Sequence, residues 1–155
     1  MRAAGMLLYN LVLCLWIGGM VLFTFVVTPL LFRHYDRNVA GDIVGTLIPA
    51  YFRYNLLLAL LGAALLLAFW WAWSPLPRRL ALVLLLGAAL VEGYVSFRLH
   101  PQIAAVKKTV ASFESDPGSP ARKRFRTLHA LSAALNLAVL ADGVALLVLR
   151  PLLPK

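Results

Sequence analysis

Four long apolar runs constrain this chain more than any other feature of its sequence. They cover residues 7–32, 55–73, 80–99 and 128–149, and each approaches the roughly 20 residues that an α-helix needs to cross about 30 Å of hydrocarbon. The hydrophobic share of 62% exceeds the roughly one half that is typical of soluble domains. The sequence therefore predicts an all-α integral membrane protein, with residues 1–155 forming one transmembrane four-helix bundle. The fourth helix is expected to begin before its apolar run and to cover 121–149.

The segments between these runs carry amphipathic patterns of their own. Residues 38–48 and 102–114 mix charged side chains with regularly spaced apolar ones, a pattern typical of short helices that lie on a membrane surface. Pro49 is expected to end the first of them, because proline removes a backbone donor and disrupts a helix interior. Residues 51–54 then predict an aromatic and basic anchor at the membrane interface.

Basic side chains outnumber acidic ones, with fifteen Lys and Arg against six Asp and Glu. Almost all of them flank the apolar runs, where they would meet lipid headgroups, so this charge favours membrane lipids as partners and argues against nucleic-acid binding. Most of them fall on the two longer connections. The positive-inside rule therefore predicts a multi-pass protein of the inner (plasma) membrane, with these connections in the cytoplasm and both termini outside.

Polar residues interrupt the fourth run on one side. His129, Ser132 and Asn136 are spaced by three and seven positions, so they share one helix face. An unpaired polar group is costly in hydrocarbon, so this face is expected to turn inward, toward other helices or a wet cavity.

The third and first helices can supply partners for that face. Glu92, Ser96 and His100 recur every four residues, and Glu92 lies about two turns, or ~10 Å, inside the His100 end of its helix. A carboxyl group at that depth needs a partner, a bound proton or water. Thr24 and Thr28 belong to a weakly polar stripe on the first helix.

These residues predict a polar pocket inside the bundle that opens toward the longer connections. The residues expected to line it are His129, Ser132, Asn136, Glu92, Thr24 and Thr28; those expected at its rim are Arg33, His34, Arg53, His100 and Arg126. The leading hypothesis is that a small ligand binds in, or passes through, this pocket. Arginines at the rim would attract an anionic group, while Glu92 would take up or release a proton.

Two other interpretations remain open at the level of sequence. His34, His100 and His129 fall on one side of the membrane and could ligate a transition metal or haem iron, although no Glu-x-x-His, His-x-x-x-His or Cys-x-x-Cys spacing is present. Alternatively, the polar face only holds the bundle together or packs against a partner protein. No nucleophile has an adjacent base, so the sequence does not predict an enzyme.

Small residues allow for association between copies of the chain. Gly18-Gly19 and Ala89-x-x-x-Gly93 would let helix backbones approach closely. A homo-oligomer is therefore compatible with the sequence.

Several short motifs together resemble the transmembrane protein 205-like group, also described as domain of unknown function 4149. The motifs are Trp16-x-Gly18-Gly19-x-x-x-Phe23, Pro29-x-x-Phe32-Arg33-His34, Ala40-Gly41 followed by Leu47-x-Pro49-x-Tyr51-Phe52, Pro101-Gln102 and Leu128-His129-x-x-Ser132-x-x-x-Asn136. The resemblance implies a four-helix membrane protein without an established biochemical activity. It includes the polar face of the fourth helix but not Glu92 or His100.

Overall fold

A computed structural model describes residues 2–72, 75–109 and 119–149. Within these ranges the chain is helical and contains no strand. Four helices are long and apolar enough to cross a membrane: Ala3–His34, Arg37–Ala68, Leu76–Lys108 and Pro120–Leu149, called spans 1 to 4 below. The prediction of an all-α, multi-pass four-helix bundle is confirmed.

Two of the spans contain a stretch of wider, π-helical turns. Span 1 consists of an α-helix Arg2–Val21, a π-helical segment Leu22–Val27 and an α-helix Thr28–His34; span 3 consists of Pro75–Tyr94, a π-helical segment Val95–Leu99 and His100–Lys108. In both spans the wide turns end two residues before a proline, Pro29 or Pro101. A proline ring crowds the carbonyl four residues before it, and π-helical turns, although rare, occur mostly as short bulges within α-helices. Spans 2 and 4 are continuous α-helices, Arg37–Ala68 and Pro120–Leu149, and a 3₁₀ turn, Trp70–Ala72, follows span 2.

The two predicted surface helices are wrong as separate elements. Residues 38–48 form the beginning of span 2, which continues through Pro49, and residues 102–108 form the end of span 3. The remainder of the second predicted surface helix, from residue 110, lies outside the described residues. Ala40 and Val44 are buried, so one face of 38–48 packs against protein, while Val39 and Leu47 remain exposed.

A lysine connects these two helix ends. The Lys107 ammonium donates to the Gly41 carbonyl at 2.8 Å and to Asp42 Oδ1 at 2.7 Å. The same end of the bundle carries Arg33 and Arg122, and we call it the basic end. The other end of the bundle contains the turn between spans 2 and 3.

The four spans form a ring in which each helix has two neighbours. Span 1 packs against spans 2 and 4, and span 3 packs against the same two. Spans 1 and 3 therefore face each other diagonally, as do spans 2 and 4. The residues buried between them are mostly large and apolar, led by Trp16, Leu13, Leu66, Leu85 and Leu146.

Two glycines fix the relative depths of the spans. Gly62 of span 2 packs against Leu85 of span 3, where a Cβ on the glycine would lie 3.1 Å from Leu85 Cδ2. Gly143 of span 4 packs against Ile17 of span 1, and a Cβ there would lie only 2.9 Å from Ile17 Cγ1. Close contacts of this kind between small residues and a neighbouring helix are typical of membrane helix packing.

Candidate functional site

Three polar side chains from three different spans form a hydrogen-bonded network inside the bundle. The Tyr51 hydroxyl donates to Asn136 Oδ1 at 2.7 Å, and Asn136 Nδ2 donates to Thr24 Oγ1 at 3.0 Å. Tyr51 and Asn136 are buried, and the Tyr51 ring stacks on Phe23 with 4.3 Å between ring centroids. The network therefore connects spans 1, 2 and 4 at one depth.

The wide turns of spans 1 and 3 lie at the depth of this network. Thr24 belongs to the π-helical segment Leu22–Val27. Val12 and Leu85 both pack against Gly62, and spans 1 and 3 run in the same direction. The segments Leu22–Val27 and Val95–Leu99 begin ten residues after Val12 and Leu85, respectively. They therefore lie at similar depths. Wide turns of this type are frequent at functional sites.

Glu92 lies deeper in the bundle and is only 1% exposed. Neither of its carboxyl oxygens has a hydrogen-bond partner among residues 2–72, 75–109 and 119–149. It lies at the depth of Asn55 on span 2, one helical turn from Tyr51 of the network. Buried polar groups without a partner are rare in native proteins and call for an explanation.

Asn55 and Trp16 are two further buried residues of this kind. Asn55 is fully buried, and both of its amide atoms lack a partner in the described part of the chain. Spans 2 and 3 are antiparallel, and Asn55 and Glu92 each lie seven residues from the Gly62–Leu85 contact, so they occupy the same depth on adjacent helices. The indole Nε1 of Trp16 is also buried without a partner there. Carboxyl, amide and indole groups thus offer unused donors and acceptors near the centre of the bundle.

The structure places some of the residues predicted to line a pocket in the interior of the bundle. Asn136, Thr24 and Glu92 lie inside the bundle as described, Ser132 is buried one turn from Asn136, and Thr28 is partly buried. His129, in contrast, is exposed, and its ring stacks on Phe125 with 5.8 Å between centroids. It does not line the interior, because the buried face of span 4 extends from Ser132 toward the other end of the bundle.

The predicted rim residues lie outside the bundle interior. Arg33, His34, Arg53 and Arg126 are exposed, while His100 is partly buried. Arg53 points away from the interior, because Tyr51 and Asn55 occupy the opposite, buried face of the same helix. Arg33 and Arg126 belong to the basic end.

The structure does not assemble the predicted metal site. In the part of the chain that it describes, no three His, Cys, Asp or Glu side chains lie close enough together to hold a metal ion. His34 and His129 are exposed on the surface of the bundle. No residue set for haem or a transition metal therefore emerges from these three histidines.

Sequence reasoning missed Tyr51, Asn55 and Trp16 as interior polar residues. Tyr51 was assigned to an interfacial anchor because it lies in an aromatic and basic cluster. A signal was nevertheless available, since Tyr51 and Asn55 are four residues apart and share a helix face. This shared face extends into the bundle only because span 2 begins well before its apolar run, at Arg37.

Comparison with known proteins identifies a family but no activity. No curated protein and no solved structure matches the chain significantly. The model of one family, described as domain of unknown function (DUF4149), matches residues 11–112. The match covers more than half of the chain and includes Thr24, Tyr51, Asn55 and Glu92. The chain therefore belongs to the DUF4149 family.

Proposed function

We propose that this membrane protein binds or translocates a small ligand inside its helix bundle, and that Glu92 exchanges a proton in the process. The observation that carries the proposal is the environment of Glu92. Both carboxyl oxygens are buried and unpartnered within the described residues, in a bundle whose neighbouring polar groups are themselves incompletely paired. Ionisable residues inside membrane spans are usually functional, because burying them is expensive.

The groups around Glu92 suit a polar ligand better than a purely structural core. Asn55 offers an unpaired amide donor and acceptor, and Trp16 offers an unpaired indole donor. A ligand that carries both donors and acceptors would satisfy them at once. A purely apolar ligand would leave them all unpaired.

A series of polar residues leads from the basic end toward Glu92. Ser132 is buried one turn on the basic side of Asn136, and the hydrogen-bonded network of Tyr51, Asn136 and Thr24 follows. The exposed Arg33 and Arg126 add positive charge at that end, which attracts anions. We therefore propose an anionic small molecule as the ligand class and the basic end as its point of entry.

We also propose that the basic end faces the cytoplasm and that the protein resides in the inner membrane. Span ends rich in Lys and Arg favour the cytoplasmic side. The chain termini would then face the outside.

A second candidate function is that of a structural or partner-binding scaffold. The network of Tyr51, Asn136 and Thr24 favours it, because these two hydrogen bonds connect three spans without any ligand. This function does not account for Glu92, whose oxygens contribute to no bond in the network.

Infrared difference spectroscopy of the purified protein in lipid tests the role of Glu92. The difference between spectra recorded at two pH values contains a carbonyl-stretch band for each carboxyl group that changes its protonation. We expect such a band in the wild type and its loss in Glu92→Gln. Asp142→Asn is the matched control, because Asp142 is a carboxyl residue of a neighbouring span that the proposal does not use.

The outcome is interpretable only if the variants are folded. The circular dichroism spectra of the variants should therefore match the wild type. A band that persists in folded Glu92→Gln, or that disappears only in Asp142→Asn, contradicts the proposed role of Glu92.

A further inference from the structure

Arg53 and Asp142 are charged residues located at mid-membrane depth on the outside of the bundle. Arg53 adjoins Tyr54, whose hydroxyl donates to the Leu15 carbonyl of span 1 at 3.0 Å. Asp142 adjoins Gly143, which packs against Ile17 of span 1, two residues after Leu15. Both charges therefore lie near the middle of that 32-residue span.

This depth is well inside the hydrocarbon. Span 1 has 32 residues and is therefore about 48 Å long, given a rise of roughly 1.5 Å per residue, whereas a typical hydrocarbon core is about 30 Å thick. Leu15 and Ile17 lie within about 6 Å of the midpoint of the span, well inside a core of that thickness centred on it. A charged group at such a depth is costly unless it is paired or reaches water.

Neither residue has a partner among residues 2–72, 75–109 and 119–149. Arg53 is exposed on span 2 and Asp142 is partly buried on span 4, and neither makes a hydrogen bond or ion pair with another described residue. They cannot pair with each other in one molecule, because spans 2 and 4 lie diagonally across the bundle. Glu92 is not available to Arg53 either, since it is buried in the interior.

Asp142 lines an open groove between spans 3 and 4. The groove has a volume of about 320 Å³, and a Cβ added at Gly87 would have no neighbour within 4 Å. Its other walls are alanine and valine side chains, among them Ala88, Ala138, Ala141 and Ala145. Small residues of this kind allow another helix to approach closely, while Asp142 gives the groove a negative charge.

We propose that a second copy of this chain docks on this groove, so that its Arg53 pairs with Asp142. Copies in one bilayer share the same orientation, and each one therefore presents Arg53 at nearly the depth of Asp142 on its neighbour. A lipid headgroup remains at the interface and cannot supply a cation at this depth. The pairing gives each charged side chain a partner of opposite charge, and an arginine–carboxylate contact can be bidentate and charge-assisted.

The contact does not depend on the function proposed for Glu92. Its residues lie on the outer surface of the bundle, whereas Glu92 lies inside. Oligomer formation through Arg53 and Asp142 can therefore be tested independently of proton exchange at Glu92.

Charge exchange tests the pairing most directly. Wild-type protein reconstituted at low density in liposomes should form oligomers, counted by single-molecule photobleaching of a fluorescent label. Arg53→Asp and Asp142→Arg, each alone, should lower the oligomeric fraction at least about tenfold, which corresponds to roughly 1.4 kcal/mol. The double variant should regain most of the wild-type fraction, since the pair is restored with its charges reversed.

Cysteine crosslinking provides a second readout that needs no charge reversal. Cys14, the chain's single cysteine, is first replaced by Ser. One tagged copy then carries Arg53→Cys and a differently tagged copy carries Asp142→Cys, and mild oxidation should link them. A copy with Leu15→Cys replaces the first one as control, because Leu15 is exposed at the same depth on span 1.

Two outcomes overturn the proposal. One is a wild-type protein that stays monomeric in liposomes, which would assign the groove to a different occupant. The other is crosslinking to the Leu15→Cys control that is as efficient as crosslinking to Arg53→Cys, together with no recovery in the double charge exchange.

Discussion

Replacing Tyr51 by Phe removes one hydroxyl from one end of the polar network and changes little else. This hydroxyl donates to Asn136 Oδ1 at 2.7 Å in a buried position, which is an optimal length for an O–H···O hydrogen bond. The ring that stacks on Phe23 remains. The substitution therefore isolates a single hydrogen bond between spans 2 and 4.

The expected loss of stability follows from two contributions. Interhelical hydrogen bonds in membranes contribute about 0.6 kcal/mol on average and up to about 1.7 kcal/mol. Leaving the buried Asn136 oxygen without its donor adds part of the roughly 1–3 kcal/mol desolvation penalty of an unpaired acceptor. We expect Tyr51→Phe to lower the free energy of unfolding by about 1–2 kcal/mol, or about 5–30-fold in the ratio of folded to unfolded protein.

Equilibrium unfolding in mixed micelles of mild and denaturing detergent measures this difference. Tyr94→Phe is the matched control, because Tyr94 is 48% exposed and its hydroxyl has no partner among the described residues. The control should change stability by less than about 0.5 kcal/mol. In an Asn136→Leu background, Tyr51→Phe should cost much less than in the wild type, because the acceptor is already absent.

Equal losses in Tyr51→Phe and Tyr94→Phe would refute this reasoning. An additive double variant would do the same, since it would mean that the two side chains do not interact. Either result would also remove the main support for the scaffold function.

Two further predictions concern packing and the basic end. Gly143→Ala should destabilise the bundle, because crowding a packed contact costs about 1–3 kcal/mol against a gain of about 1 kcal/mol in helix propensity. Gly18→Ala is the control, because a Cβ there has no neighbour within 4 Å, and it should be neutral or stabilising in the same unfolding assay. The opposite order would contradict the packing of Gly143 against Ile17. Lys107→Met should lower stability by up to about 1 kcal/mol at low salt, because it breaks the ion pair with Asp42, and the difference should shrink at high salt. Lys108→Met is its control, since Lys108 is exposed, and equal salt dependence in both variants would exclude a specific role for the pair.

The apolar pattern alone was sufficient to predict the four spans. Runs of about 20 apolar residues have few alternatives to a membrane helix, because every backbone polar group must be paired within the bilayer. The family assignment also followed from sequence motifs, and its match over residues 11–112 confirms it at the level of DUF4149. The narrower resemblance to the transmembrane protein 205-like group stays a prediction.

Helix ends were harder to predict than helix cores. Pro49 was expected to end a surface helix, yet span 2 continues through it. A proline inside a helix removes a backbone hydrogen bond. Here the burial of Ala40 and Val44 nevertheless holds the preceding turns against the other spans. Composition also could not separate a surface helix from the extension of a span, because both carry charged and apolar residues in alternation.

The sequence by itself determined the membrane class, the number of spans and the inward location of Glu92, Ser132 and Asn136. It could do so because an unpaired polar group is too costly on a lipid-facing surface. Only the tertiary structure decided which polar groups meet. The rotation and depth of each helix, set by contacts such as Gly62 with Leu85, brought Tyr51 into the network and left His129 outside. Such contacts join residues far apart in the chain, and periodicity within one helix carries no information about its neighbour.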